Sequence, residues 1–192
     1  MFEQAAIAVQ DEKGYAKLHS LFDAAFDVRD VEVLLSRVKR ARLRIRDYES
    51  VLKRGVKALC VISAGFAEVG SEGAGRQREL LALVRAHGAR MIGPNCLGIA
   101  SSAVRMNATF AGRQFPAGRA AFSSQSGALG IALLEQAQQR ELGLSSFVSI
   151  GNKADVSSND LLEYWEDDPD PDHVLLYLEA FGNPGKSARI AQ

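Results

Sequence analysis

The sequence predicts an α/β protein, and three observations carry that prediction. From Val56 onward, short apolar runs alternate with amphipathic stretches at helical spacing. Gly- and Pro-marked loops separate them, as in βαβ units built on a parallel sheet. The chain is also long and apolar enough to bury a core: 192 residues, 47% hydrophobic and 24% charged, which suits one full domain or two small ones.

The elements follow in chain order. Before Gly55 the spacing is helical throughout. Tyr15, Leu18, Phe22, Ala25 and Phe26 predict a first helix. Val31, Leu34, Val38, Ala41, Ile45, Tyr48 and Leu52 step by three and four, an a/d pattern that predicts a longer second one. Its other faces carry Arg37, Lys39, Arg40, Arg42, Arg44, Arg46, Lys53 and Arg54. A solvated face explains that run most simply, and no Gly or Asn interrupts it to make a helix-turn-helix. Residues 1–54 are therefore expected to form an α-helical N-terminal segment, packed on the rest or on a second copy as a homo-oligomer contact.

Beyond it, Ala58–Ala64 reads as a buried parallel strand. Glu72–His87 reads as a helix closed by Gly88, and Arg90–Pro94 as a short strand running into the loop Asn95-Cys96-Leu97-Gly98. Residues 101–118 lack a clear period, and Phe115-Pro116-Ala117-Gly118 has linker chemistry. The alternation restarts with strand Arg119–Ser124, helix Gly127–Glu141, strand Ser146–Ile150, helix Asn159–Trp165, strand His173–Leu178 and a helix from near Pro184. The break at 115–118 divides this region into two α/β pieces.

Composition excludes several functions. Lys+Arg and Asp+Glu both number 23, so the chain is not basic overall and no nucleic-acid partner is expected. No run approaches ~18 apolar residues, so no membrane partner is expected. Two cysteines make no disulfide framework, and Met1-Phe2-Glu3-Gln4 has no signal-peptide character, which together predict a cytoplasmic protein. No Cys/His spacing suggests a metal site.

Ligands of open α/β sheets bind beyond the carboxyl ends of the strands. That places Ser63–Phe66, Gly93–Gly98, Ser123–Gly127 and Gly151–Asp155 together. The segment Phe122-Ser123-Ser124-Gln125-Ser126-Gly127 ends a strand and opens a helix, where free N–H groups and the macrodipole suit a phosphate or carboxylate. An ordinary Ser N-cap fits it equally well. Cys96 sits between turn residues, but no histidine lies in a partner motif, which disfavours a catalytic thiol. Cys60, inside an apolar strand, reads as core. Glu179 follows the last strand, at the ligand edge of the sheet, with functional and structural readings both open.

These residues carry a resemblance. The blocks GVKALCVISAGFAEVG (55–70), RMIGPNCLGIA (90–100), NATFAGRQFPAGRAAFSSQSGALGIALLEQA (107–137), LGLSSFVSIGNKADVSSNDLLEYWEDDP (142–169) and LLYLEAFGNPGKSARIA (175–191) resemble the α-type region of NDP-forming acyl-CoA synthetases. That group comprises the ADP-forming acetate–CoA ligases, relatives of succinyl-CoA synthetase. The region is also similar to the synthetase-like part of bacterial protein lysine acetyltransferases. The resemblance implies a partial Rossmann-like CoA-binding domain over 55–118 and a partial flavodoxin-like CoA-ligase domain over 119–192, with no match over 1–54.

The resemblance also implies roles. Ile62, Ser63, Ala64 and Gly65 would line the CoA groove, with Asn95 and Cys96 near the CoA thiol. Ser124, Gln125, Ser126 and Gly127 would bind phosphate. Gly151, Asn152 and Lys153 would form the acyl-site loop. Glu179 would be the catalytic glutamate that orients the family's phosphorylated histidine. The implied reaction converts acyl-CoA, phosphate and NDP into acid, CoA and NTP through acyl phosphate and phosphohistidine. Coenzyme A is the implied cofactor, with ATP or ADP and Mg in the complete enzyme but not held by this chain alone.

Two departures bear on this. Residues 1–54 show neither the strand nor the Gly-rich turn with which the family's CoA domain begins. None of His19, His87 or His173 matches the phosphohistidine loop, and no nucleotide-grasp domain is present, so a β-type subunit or domain is the expected partner. The chain is therefore expected to be a fragment, not competent alone. The alternative is a non-catalytic, regulatory CoA- or acyl-CoA-binding module.

Overall fold

Ala5–Val9 (β1) and Ala58–Val61 (β3) form the centre of a four-stranded parallel sheet with Val31–Leu35 (β2) and Arg90–Ile92 (β4), in the order β2-β1-β3-β4. The structure is a computed structural model that describes residues 5–9, 31–35, 45–109, 111, 115–181 and 184–190. The helical reading of the N-terminal segment holds at Ile45–Leu52 (α1), which buries Tyr48, Val51 and Leu52. It fails at Val31–Leu35, a strand paired in register with β1 from Ala5↔Val31 to Val9↔Leu35. A five-residue run such as Val-Glu-Val-Leu-Leu satisfies both periods, and only the neighbouring strand decides between them. The expected strand missing from the start of the sheet is present as β1. The first predicted helix, and Val38 and Ala41 of the second, lie outside the described residues.

Ser71–Ala86 (α2) packs Leu80 and Val84 onto the first sheet together with α1, where Leu59, Val61 and Met91 complete one apolar cluster. The second sheet has the order β6-β5-β8-β7-β9, from Gly98–Ser101 (β5), Met106–Thr109 (β6), Ala117–Ser124 (β7), Leu144–Ser149 (β8) and His173–Tyr177 (β9). β7 pairs in parallel with β8 and β9, whereas β5 runs antiparallel to both β6 and β8. The β5–β6 hairpin occupies the stretch where the sequence shows no clear period. Gly127–Gln139 (α3) covers one part of this sheet through Leu134 and Ala137, which meet Phe122 and Phe147, whose rings lie 5.4 Å apart. Ser158–Glu166 (α4) inserts Leu161 and Trp165 on the other side, and Pro184–Ile190 (α5) follows β9.

One core joins the two sheets. Cys60, Ile62 and Ile92 from the first cluster with Ile99, Val148, Ile150, Leu161 and Trp165 from the second. Asp155 adds a polar seam. Its side chain is 2% exposed, and its Oδ2 accepts from the Met91 N–H (2.9 Å) and Arg90 Nε (2.9 Å), its Oδ1 from Arg85 Nη2 (3.3 Å). Among the described residues no helix is long and apolar enough to cross a membrane.

Candidate functional site

The loops after β3, β4, β7 and β8 open onto one side of the molecule, where parallel strands end. They enclose a cleft of about 530 Å³, within the range of small-molecule sites. Ile62, Ala64, Asn95, Cys96, Gln125, Ser126, Gly127, Gly151, Asn152 and Glu179 of the sequence-derived candidates line it. Chain segments more than a hundred positions apart are thus brought together. Ser63, Gly65, Ser124 and Lys153 do not line the cleft; Ser63, Gly65 and Lys153 lie in the same loops and Ser124 ends β7 beneath them.

Each wall has an identifiable support. The Asn95 N–H donates to the Ser63 carbonyl (3.0 Å), joining the loops after β3 and β4. The Asn152 N–H donates to the Pro94 carbonyl (2.9 Å) and the Ala154 N–H to the Gly93 carbonyl (3.0 Å), joining the loops after β4 and β8. This contact is close enough to require glycine at 151. Its φ is +51°, and a Cβ there would stand 2.3 Å from the Asn95 carbonyl oxygen and 2.4 Å from that of Pro94. At Gly65 (φ +102°) a Cβ would meet nothing within 4 Å, and at Gly127 only Leu97 Cβ at 4.0 Å. There is room for a side chain at both positions, but the Gly65 backbone groups are already taken, its N–H by Glu68 and its carbonyl by Arg76 Nε (3.0 Å) and Nη2 (2.6 Å). Asn95 (φ 56°) and Lys153 (φ 42°) hold left-handed backbone on either side of the cleft, a conformation that persists only where the surroundings impose it.

Gln125 ties the second half together. Its Oε1 accepts from the Glu179 N–H (3.1 Å), the Ala180 N–H (3.3 Å) and Lys153 Nζ (3.3 Å), and Lys153 also donates to the Ala180 carbonyl. The stretch after β9, with Glu179, is thereby held against the start of α3. There Ser126 is the N-cap: its hydroxyl accepts from the Leu129 N–H (3.3 Å). Ser124 is buried beneath and donates to the Ser126 carbonyl (2.7 Å). Gly127 and Ala128, in the first turn of α3, face the cleft at the positive end of the helix macrodipole.

Sequence reasoning missed Glu68. It lies in a 3-10 turn, Ala67–Val69, and lines the cleft. Its carboxylate accepts from the Gly65 and Phe66 N–H groups and from Asn152 Nδ2, 84 positions away. Partial burial opposes its ionisation, but these hydrogen bonds outweigh burial and hold the carboxyl below its ordinary value. Asn152 Nδ2 also donates to Gln77 Oε1 (3.0 Å), and Asn95 Nδ2 to Asn152 Oδ1 (3.3 Å). The signal in the sequence was a carboxylate three residues past a turn glycine; the asparagine that gives it meaning is set by tertiary contact alone. No histidine among the described residues lines the cleft. His87 sits at the end of α2 with its Nδ1 3.0 Å from the Leu83 carbonyl, and His173 opens β9; His19 lies outside the described residues.

Comparison with known proteins agrees with this architecture. Residues 117–192 match the family model described as the succinyl-CoA ligase like flavodoxin domain. The chain is 41% identical over 152 residues to acetate–CoA ligase [ADP-forming] I of Archaeoglobus fulgidus, covering 79% of this chain and 22% of that one. It is 39% identical over 140 residues to the α subunit of acetate–CoA ligase [ADP-forming] I of Pyrococcus furiosus, covering 73% and 30%. Among solved structures, the apo form of the dinucleotide forming acetyl-coenzyme A synthetase 1 of Ca. Korarchaeum cryptofilum superposes with a TM-score of 0.78 at 28% identity, over 98% of this chain and 46% of that one. The chain therefore spans less than half the length of these proteins. Its residues 117–192 belong to the succinyl-CoA ligase like flavodoxin family, and the chain is homologous to part of the α-type region of ADP-forming acetate–CoA ligases.

Proposed function

We propose that this chain is the α-type segment of an NDP-forming acyl-CoA synthetase, supplying the CoA, phosphate and acyl walls of a site completed by other polypeptide. The overall reaction is acyl-CoA, phosphate and NDP to acid, CoA and NTP, through acyl phosphate and phosphohistidine. The observation that carries this reading is the convergence of four loops and Glu179 on one cleft. In it, residues 55–118 act as the CoA-binding part and 119–192 as the ligase part. Ile62, Ser63, Ala64 and Gly65 form the CoA groove, open at Gly65, with Asn95 and Cys96 near the thiol. Ser124, Gln125, Ser126 and Gly127 receive phosphate, where first-turn N–H groups and the helix dipole favour an anion. Gly151, Asn152 and Lys153 bound the acyl group. Glu179, on the cleft and held by Gln125, orients an imidazole brought to it, a task for a fixed carboxylate. The proposal includes a cytoplasmic location and a β-type nucleotide-grasp partner that holds the nucleotide with Mg.

A second reading, a non-catalytic CoA-binding regulatory module, is favoured by one observation: neither described histidine reaches the cleft. Both readings require CoA or acetyl-CoA to bind, which titration calorimetry measures directly; no heat at millimolar ligand would overturn both. The purified chain with labelled ATP and Mg forms no phosphoenzyme, and an acid-labile labelled band would contradict that. Turnover of acetyl-CoA with ADP and phosphate on adding a β-type subunit selects the enzyme reading, and bound CoA with no turnover selects the module.

A further inference from the structure

The chain has two cysteines, and the fold carries them from 36 positions apart into contact. Cys60 Sγ, in β3, lies 3.8 Å from Cys96 Sγ, in the loop after β4. Both are free and buried, at 2% and 4% exposure. The sulfurs form a short relay: Cys96 donates to the Val61 carbonyl (3.4 Å) and so accepts from Cys60. Packing presses the loop onto the strand. A Cβ at Gly93 would stand 2.4 Å from the Val61 carbonyl oxygen and 3.1 Å from Cys96 Sγ. Cys96 also lines the cleft, whereas Cys60 lies behind it.

We propose that Cys60 and Cys96 are a redox modification site, converted by a peroxide into an intramolecular disulfide that moves the cleft wall. Of the two cysteines only Cys96 lines the cleft, at 4% exposure, so it is the one that meets the oxidant first. Its sulfur attacks one peroxide oxygen and the O–O bond breaks. Hydrogen peroxide thereby gives one water and leaves a sulfenic acid on Cys96. Cys60, the only other thiol in the chain and already in contact, attacks the sulfenyl sulfur. The S–S bond forms, the S–O bond breaks and a second water leaves. Two thiols are oxidised, one peroxide is reduced, and a dithiol reverses the change by exchange. Cys60 is the resolving partner because it lies behind Cys96, away from the cleft, and is already in contact with its sulfur; the Cys60 thiol proton leaves with the sulfenyl hydroxyl as the second water.

Closing the sulfur gap from 3.8 Å to a bond of about 2.05 Å requires one side to move. β3 is held in register by β1 and β4 on its two edges, so most of the movement falls on the loop. The loop's N–H groups at Asn95 and Leu97 are hydrogen-bonded to the Ser63 carbonyl (3.0 Å) and Ser149 Oγ (2.9 Å). Drawing Cys96 toward β3 pulls Leu97 away from Ser149 in β8, whereas the acceptor of Asn95, Ser63, lies on the β3 side and moves little relative to it; Leu97 faces the cleft beside Cys96. The inference holds whether or not the cleft binds CoA.

The test uses the reduced, desalted protein treated with equimolar hydrogen peroxide, alkylated and mapped by non-reducing peptide mass spectrometry. The expected product is a Cys60–Cys96 cross-linked peptide with neither cysteine alkylated, and dithiothreitol restores both thiols. Two alkylatable thiols, a sulfinic acid at Cys96 without a cross-link, or a disulfide between chains would each overturn the proposal. In Cys60→Ser, or in Cys60→Ala should the first not fold, the oxidised product is a Cys96 sulfenic acid that a dimedone probe labels; an unlabelled Cys96 counts against the order of steps. Hydrogen exchange of the oxidised wild type reads the wall movement, with Leu97 exchanging several-fold faster than in the reduced protein. A disulfide that leaves the Leu97 amide unchanged refutes the movement.

Discussion

Removing the Asp155 carboxylate measures how firmly the two sheets are held together. Asp155 follows β8 and its cleft loop, but its partners are Met91 in β4, Arg90 beside it, and Arg85 in α2. In Asp155→Ala, the Met91 N–H loses its acceptor, and Met91 is fully buried; an unsatisfied buried donor costs about 1–3 kcal/mol. The two arginine contacts count for less. Arg85 and Arg90 are 62% and 47% exposed, so water replaces the carboxylate at each for about 0–1 kcal/mol. The expected destabilisation is therefore about 1–5 kcal/mol, most of it from one backbone hydrogen bond. Asp155→Asn separates the contributions, because its remaining carbonyl oxygen can still accept from Met91. It is expected to lose about 1 kcal/mol. Urea unfolding followed by far-UV circular dichroism, with the slope against urea unchanged, supplies both numbers. An Ala variant within ~0.5 kcal/mol of wild type, or an Asn variant as damaged as Ala, would refute the reasoning.

Other outcomes follow from the same geometry. Gly151→Ala forces a left-handed backbone and a clash with two carbonyl oxygens, and is expected to cost about 2–4 kcal/mol, read as a lower urea midpoint and weaker ligand binding in the cleft. Ser126→Asp places a negative charge where an anion would sit at the start of α3, and is expected to weaken phosphate binding in calorimetry while leaving the helix capped; equal affinity removes that position from the phosphate site. Partial burial works against ionised Asp160, but the Ser157 hydroxyl and N–H and the Lys186 ammonium prevail and depress its carboxyl below 3.8. A depressed folded-state value means that stability is full above about pH 4 and is lost as pH falls through the folded value. Asp160→Asn therefore flattens the acid limb of a stability–pH profile, and an unaltered limb contradicts the assignment.

Much of this molecule was legible from local pattern. A continuous apolar run ending in small residues marked β3, since a strand buried in a parallel sheet needs no alternation. β9 was legible from its apolar run too, although it is an edge strand whose five residues are all exposed. Leu80 and Val84 marked the buried face of α2, and Ser126 before Gly127 marked the start of α3. Because the carboxyl ends of parallel strands share one edge of a sheet, the loops after β3 and β4, and those after β7 and β8, could each be grouped without contact information; that the two sheets bring both pairs to one cleft is a tertiary result. Other features depended on partners distant in the chain. Val31–Leu35 becomes a strand because β1 offers a ladder of backbone groups, which no local period reports. Glu68 acquires its place from Asn152, Asp155 from Met91 and Arg90, and Cys60 from Cys96. The sequence by itself determined which segments can be strands, helices and turns, because spacing decides which face a side chain presents. Only the tertiary structure decided which of those segments meet, because short-range forces between polar atoms and sulfurs act only after packing has closed the distance.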